Sequence, residues 1–557
     1  MIHEWDVLVV GGGIAGQIAA LEAARLGKKV AILSKVEPWH THSRNPRSVN
    51  LSVAKGDDWR KQIDDAWDDS HFLADWEPME VVATEGPELV LHEFGDILDR
   101  DEAGDIAAYS FAGTNRAIMA GQHSGLNFMR KMFAELEERG VPFMTDRTVT
   151  SLVMEGGRCV GVTALDLMGG QVEGHSAANV VLCTGGHGFL WQNSVHGIEN
   201  SGDGQALAFR AGASLRDMEF TYYHQGYLYQ TPHIITEGAF HRGLHLYNKD
   251  GERFLFNYEP EGESGKMYYT KRFMTLELEA GRGIENKFFW ADFTHLDESE
   301  IDEVFPRARK DCLDSLGLDI VHDRVPMAPG VQATMGGIRI DLQGRTGITG
   351  LLAAGECANT GQHGADWRVG NFMLAALIFG SHAGKTAAAE TGGPAPAARE
   401  AAVIGAVHDE TNRLAGIASR TGGRAFHLLR GELRRTMTEH VSVMRDADKL
   451  TRALDTVQRL KTQYETASLV LGGTRFNHQL AEFLGLGNML TVGEAVIVAA
   501  LARTETRGNH WRRDFPQRDD VRWGVHGIVF DTPDGPEIRH EPVKPGELKP
   551  REKAGMI

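Results

Sequence analysis

Residues 5 to 35 read WDVLVVGGGIAGQIAALEAARLGKKVAILSK, and no other stretch constrains the fold as tightly. The apolar run Val7 to Val10 predicts a buried strand. Gly11, Gly13 and Gly16 follow it at G-x-G-x-x-G spacing, and Ile18, Leu21 and Ala24 carry the helical apolar period beyond. Glycines so placed serve a tight turn, close approach of backbone to phosphate, and close helix-on-sheet packing. Unpaired N–H groups at the helix start, backed by the helix dipole, favour an anion there. The unit is read as the pyrophosphate grip of a dinucleotide, and the chain as a flavin-dependent enzyme.

At 557 residues the chain exceeds what one core supports, so several domains are expected. Lys and Arg number 58 against 76 Asp and Glu, a net charge of -18. That balance argues against a nucleic-acid partner and leaves no polybasic patch for acidic lipid, so small molecules or proteins are the expected partners. No apolar run is read as a membrane span, and Met1 to Trp5 lead into the first strand without a basic leader; the cytoplasm is the default compartment. Cys159, Cys183, Cys312 and Cys357 are far apart, which yields neither a disulfide framework nor an iron–sulfur run. A cluster that exchanges electrons with this chain would sit on another subunit, and no metal-ligand set is read.

A second strand, Asn179 to Cys183, ends in Thr184-Gly185-Gly186, with Asn200-Ser201-Gly202-Asp203-Gly204 beyond it; a third short strand enters the turn Gly355-Glu356. The dinucleotide domain is therefore discontinuous, with parts at 1–225 and 329–390. Residues 226–328 turn aromatic, polar and glycine-rich, as expected of an inserted capping domain. Thr391 to Pro396 read as a linker. Amphipathic helices dominate 398–506, with Leu450, Leu454, Val457 and Leu460 as one apolar stripe. The charged, proline-containing tail 507–557 is expected to be a surface arm.

Together these pieces resemble the flavoprotein subunits of succinate dehydrogenase and fumarate reductase, a superfamily that includes L-aspartate oxidase and adenylylsulfate reductase. The likeness rests on Ser34-Lys35-Val36 with Pro38 and His42, Asn200 to Gly204, Thr236-Glu237-Gly238, Asn248 to Phe254, Met335-Gly336-Gly337-Ile338, Gly350 to Glu356, and the late runs Ala502 to His510 and Phe515 to Asp520. It implies an α/β fold: a discontinuous Rossmann-like FAD-binding domain, an inserted α+β cap and a C-terminal helical bundle. FAD is the implied cofactor. Its implied contacts are Gly11, Gly13, Ile14, Ala15, Gly16, Ser34, Lys35, His42, Ser43, Ser48, Val49, Thr184, Gly185, Asp203, Glu356, Asn371, Phe372 and Met373. His42 stands eight residues after Ser34, the family spacing for a histidine bonded to the flavin 8-methyl carbon. Pro46-Arg47-Ser48-Val49 replaces the family's Ala-Gln-Gly-Gly, which leaves covalent and noncovalent attachment both open.

On the substrate side the resemblance carries over His224, Thr236 and Glu237, and Phe111 as a packing aromatic. Then the pattern departs. The family's proton-shuttle arginine falls on Met267 or Tyr268, with Lys266, Tyr268, Tyr269, Lys271 and Arg272 as nearby replacements. Gln332 takes a histidine's place. His363-Gly364-Ala365-Asp366-Trp367-Arg368 replaces His-Gly-Ala-Asn-Arg, so the clamp arginine is either lost to Trp367 or displaced to Arg368. A C4-dicarboxylate is best held by bidentate arginines or several donors in a water-poor site. The loss of cations points to a substrate with one anionic end or none, with aromatic faces from Trp367, Tyr222, Tyr223, Tyr268 and Tyr269; a dicarboxylate site rebuilt in shifted register is the alternative. The expected function is hydride transfer between flavin N5 and a small carboxylate or aromatic metabolite. Competing readings are a subunit of a respiratory complex with an iron–sulfur partner, peripheral at the inner face of a membrane; an oxidase of the L-aspartate oxidase kind; and a flavin-bound assembly subunit without chemistry.

Overall fold

The computed structural model describes residues 1–548 other than 55, 112–113, 266 and 391, with the side chains of Phe111, Met267 and Tyr268 outside that description. Ile2–Val10 is a strand whose inner half is wholly buried. It pairs in parallel with Val30–Leu33 on one side and Gln171–Leu182 on the other. Burial on both faces explains the unalternating apolar runs Val7 to Val10, Val30 to Leu33 and Val180 to Leu182. The sheet has seven strands, running from Phe143–Met144 through Val30–Leu33, Ile2–Val10, Gln171–Leu182 and Arg158–Asp166 to Arg147–Glu155; Leu351–Ala353 pairs with the C-terminal end of Gln171–Leu182. Three segments far apart in sequence thus end side by side, and the dinucleotide domain is discontinuous as expected.

Helix Ile14–Arg25 is buried from Ile14 to Ala23 and packs against helix Asn371–Ala389. The two backbones nearly touch: a Cβ on Gly384 would lie 2.2 Å from the Ala19 carbonyl oxygen. The cap is α+β, a four-stranded antiparallel sheet of Thr221–Leu228, Val325–Thr334, Phe289–Asp292 and His245–Tyr247 with helix Met267–Glu279 against it. Its two long strands straddle positions 226 and 328, so backbone hydrogen bonds run across both junctions with the flavin domain.

Helices Pro396–Ala418, Phe426–His440, Ala447–Tyr464 and His478–Ala502 follow. In Ala447–Tyr464 the fully buried stripe is Leu450, Ala453, Val457 and Leu460; Leu454 is only half-buried. His478–Ala502 corrects one expectation, because its 25 residues, with a mean hydropathy of 1.7 over their most apolar window, are long and apolar enough to cross a membrane. Of its most apolar window 78% is buried inside the protein, which makes it the central core helix. The tail is also more than a surface arm. Val525–Phe530 pairs with Leu215–Arg216 inside a five-stranded sheet, and Arg503, Glu505, Arg507, His510 and Arg512 are buried. The buried arginines are paired with acids: Arg503 bonds Glu219 at 2.6 Å and Glu505 at 2.9 Å, and Arg507 bonds Glu505 at 2.6 Å. All four cysteines are free and buried.

Candidate active site

At the C-terminal ends of the parallel strands lies a cavity of about 150 Å³, where open α/β sheets bind their ligands. Gly11 adopts φ +112°, and a Cβ on Gly16 would lie 1.9 Å from the Gly11 oxygen, so neither position tolerates a side chain. Helix Ile14–Arg25 starts at Gly13 without a side-chain cap, and the Ile14 N–H reaches Ser43 Oγ at 3.2 Å. An uncapped helix start facing a glycine cradle fits a pyrophosphate.

Of the expected cofactor contacts, Gly11, Gly13, Ile14, Ala15, Ser34, Lys35, His42, Ser43, Thr184, Gly185, Asp203, Glu356, Phe372 and Met373 line this cavity. Gly16, Ser48, Val49 and Asn371 do not. Gly16 packs the turn, Ser48 and Val49 are buried, and Asn371 accepts from Asn50 Nδ2 at 2.9 Å. Lys35 and Asp203 form an ion pair on the wall. Arg147, Glu199, Asn200 and Thr41 also line the cavity, unforeseen from sequence. Arg147 opens a strand with no local motif; it reaches the wall because its N–H donates to the Ser34 oxygen at 3.0 Å.

The His42 ring stacks on that of His196, with centroids 4.3 Å apart, and burial pulls its pKa down to about 3. Glu356 accepts from the Thr334 N–H at 2.9 Å and lies 3.5 Å from His196. Burial would raise its pKa, but His196 more than reverses that and holds it at about 2. The wall by His42 therefore carries a neutral imidazole and an ionised carboxylate at neutral pH.

The substrate-side residues converge beside Phe372. Trp367 meets the Phe372 ring at 4.9 Å and the Tyr222 ring at 5.5 Å. Tyr222 lies 6.3 Å from His224, two residues on along the same strand, and donates its hydroxyl to Glu237 Oε1 at 2.9 Å. His224 Nδ1 accepts from the Gly226 N–H at 2.9 Å, which leaves Nε2 as the N–H of the neutral ring. Burial, with Lys271 adding to it, lowers the His224 pKa to about 3. Burial raises the pKa of Glu237, which keeps its carboxyl protonated further up the pH scale.

Among the described residues, Lys271 brings a cation to Tyr222. It stands one helical turn after Met267, so the two positions share a face of helix Met267–Glu279. Its Nζ sits 4.3 Å over the Tyr222 ring and donates to Asn509 Oδ1. Burial lowers its pKa, with Asp366 and Glu237 opposing. Arg368, one place beyond the clamp position, bonds Asp69 through its Nε at 2.6 Å. Asp366 and Asn509, neither foreseen as site residues, complete the group; Asp366 carries no sequence signal beyond replacing a family Asn.

Other expectations part from the structure. Tyr223 turns away and donates to the Val441 oxygen at 2.9 Å. Tyr269 packs on Trp511 at 5.8 Å and Arg272 lies 4.2 Å over the same ring, so neither faces Tyr222. Gln332 is half-buried and makes no side-chain hydrogen bond among the described residues, and Thr236 caps the turn Glu237–Arg242 without a side-chain bond. Phe111 and Tyr268 have side chains outside the description.

Residues 6–373 match the FAD binding domain family, and residues 430–554 match the fumarate reductase flavoprotein C-terminal family. The chain is 33% identical to the fumarate reductase flavoprotein subunit of Mycobacterium tuberculosis over 96% of both proteins. It is 30% identical to the succinate dehydrogenase flavoprotein subunit of Rickettsia bellii, over 94% of this chain and 93% of that one. Among solved structures, E. coli quinol fumarate reductase FrdA superposes with a TM-score of 0.91 at 27% identity, over 99% of each chain. Similarity that runs from the glycine turn to the C-terminal strands spans the whole architecture: the chain belongs to the succinate dehydrogenase and fumarate reductase flavoprotein family and is an FAD-dependent oxidoreductase.

Proposed function

We propose that this enzyme oxidises or reduces a carbon–carbon bond of a small carboxylate or aromatic metabolite, and that succinate and fumarate are not its standard substrates. FAD, when bound, supplies hydride transfer at its N5. The observation that carries the reading is the unbroken run of contacts from Phe372, in the cofactor cavity wall, through Trp367 and Tyr222 to His224 and Glu237. A molecule in contact with this run lies between the flavin cavity and an acid. His224 offers Nε2–H to a substrate oxygen, and the buried Glu237, oriented by Tyr222, holds the proton to be exchanged. Trp367 at the clamp position supports a non-dicarboxylate substrate.

The replacements His224→Ala and Glu237→Ala are expected to leave flavin bound and to lower turnover by at least ~100-fold, the usual scale for a lost acid–base or positioning group. Unchanged turnover in both would remove the assignment. Similarity over nearly the whole length of a fumarate reductase flavoprotein subunit supports a second reading, a complex with an iron–sulfur partner at the membrane face. Copurification with a cysteine-rich small subunit would favour it.

A further inference from the structure

The group around Tyr222 contains two cations, and each has its own acid. Arg368 is tied through Nε to Asp69 at 2.6 Å. Lys271 and Asp366 are linked through one side chain, Asn509, which bonds both. The Asp366 carboxylate also accepts from the Trp367 N–H at 2.8 Å, so it is fixed in place. Glu237 adds a third acid beside them, against Tyr222. A dianionic ligand entering here finds its two countercharges already matched and faces three carboxyl groups.

Two donors in the group nevertheless lack an acceptor. Trp367 Nε1 and Arg368 Nη1 are both buried N–H donors without a hydrogen-bond partner among the described residues. Orphaned buried donors are costly, and each asks for an oxygen from outside. The Trp367, Tyr222 and Phe372 rings supply flat apolar walls beside them.

Resting on the proposed function and narrowing its substrate to one without a carboxylate, we infer that Asp366 and Trp367 set the charge class of the substrate: an uncharged, planar, unsaturated carbonyl compound whose oxygen accepts from Trp367 Nε1 and Arg368 Nη1. Asp366 excludes dicarboxylates by neutralising Lys271 from within. Trp367 excludes them by replacing a guanidinium with a ring whose single N–H suits a carbonyl. Relative to the family's Asn-Arg, Asp366 and Trp367 are two adjacent substitutions that each move the local charge toward negative, with Arg368 one place on.

The test uses three ligands of one shape and different charge, namely fumarate, its monoamide fumaramate and the diamide fumaramide. Calorimetric titration of the FAD-loaded protein is expected to show affinity rising as charge falls, by at least about 10-fold from dianion to diamide, the scale of one unfavourable charge juxtaposition. Asp366→Asn releases Lys271 and is expected to tighten fumarate by about 10-fold. Asp366→Asn combined with Trp367→Arg is expected to reverse the order of the three. If the double variant fails to fold, the near-isosteric single variant decides. Fumarate bound by the unaltered protein at least as tightly as fumaramide, or no gain in fumarate affinity in Asp366→Asn, would overturn the inference. The broader proposal fails on a separate result, undiminished turnover in the His224 and Glu237 variants, so the two failures are told apart.

Discussion

His42 lies in the cavity wall with its ring against His196, and burial keeps it unprotonated down to a pH of about 3. A neutral imidazole has a free lone pair, which is the form that can carry a carbon substituent. We expect the yellow colour to stay with acid-precipitated protein and to wash out of the His42→Ala pellet; colour that washes out of both would mean a noncovalent flavin. The spacing from Ser34 made His42 legible, because eight residues of loop carry it from a strand end to the cavity. His196 was not legible. It comes from a separate segment, and only the fold stacks it on His42. The same holds on the substrate side. Tyr222 and Tyr223 are equal in sequence, yet one bonds Glu237 and the other Val441, since neighbouring strand residues point to opposite faces.

Among elements, the glycine turn is the least tolerant of change. Gly11→Ala would drive a Cβ to 2.1 Å from the Cys183 oxygen, and flavin retention, read as visible absorbance per protein, is expected to be lost. Gly281 is the control. It also has a positive φ, +71°, but no atom within 4 Å, so Gly281→Ala should keep its flavin and lose only about 1 kcal/mol to backbone strain. The helix His478–Ala502 makes the complementary point. Its composition alone is that of a membrane span, and its position under the other helices makes it a core. Leu486, fully buried on it, is expected to cost about 2–5 kcal/mol of unfolding free energy when changed to Ala, measured by denaturant titration.

For the molecule as a whole, His526 ties a late strand to two distant segments. Its Nδ1 lies 2.8 Å from Asp217 and its Nε2 3.2 Å from Asp75, which joins the tail to the flavin domain. Burial works against the charged ring, but the two aspartates outweigh it and raise the pKa from 6.5 to about 9. A pKa raised by folding stabilises fully below the unfolded value, and the benefit is lost as pH climbs through the folded one. Stability worth on the order of 3 kcal/mol should therefore fade between pH 6.5 and 9, and His526→Gln should flatten that part of the melting-temperature profile. An equally steep profile in the variant would assign the pH dependence to other groups.

By itself the sequence determined the dinucleotide turn, the discontinuous domain and the inserted cap, because turn chemistry and apolar period act over a few residues and leave a local trace. It also exposed the missing arginine as a gap in a motif. Only the tertiary structure decided which side chain lies against Tyr222: Lys271, brought there by a helix face and bonded to Asn509 from a late segment of the chain. Charge pairing and burial are properties of surroundings assembled from distant segments, and no window of sequence contains them.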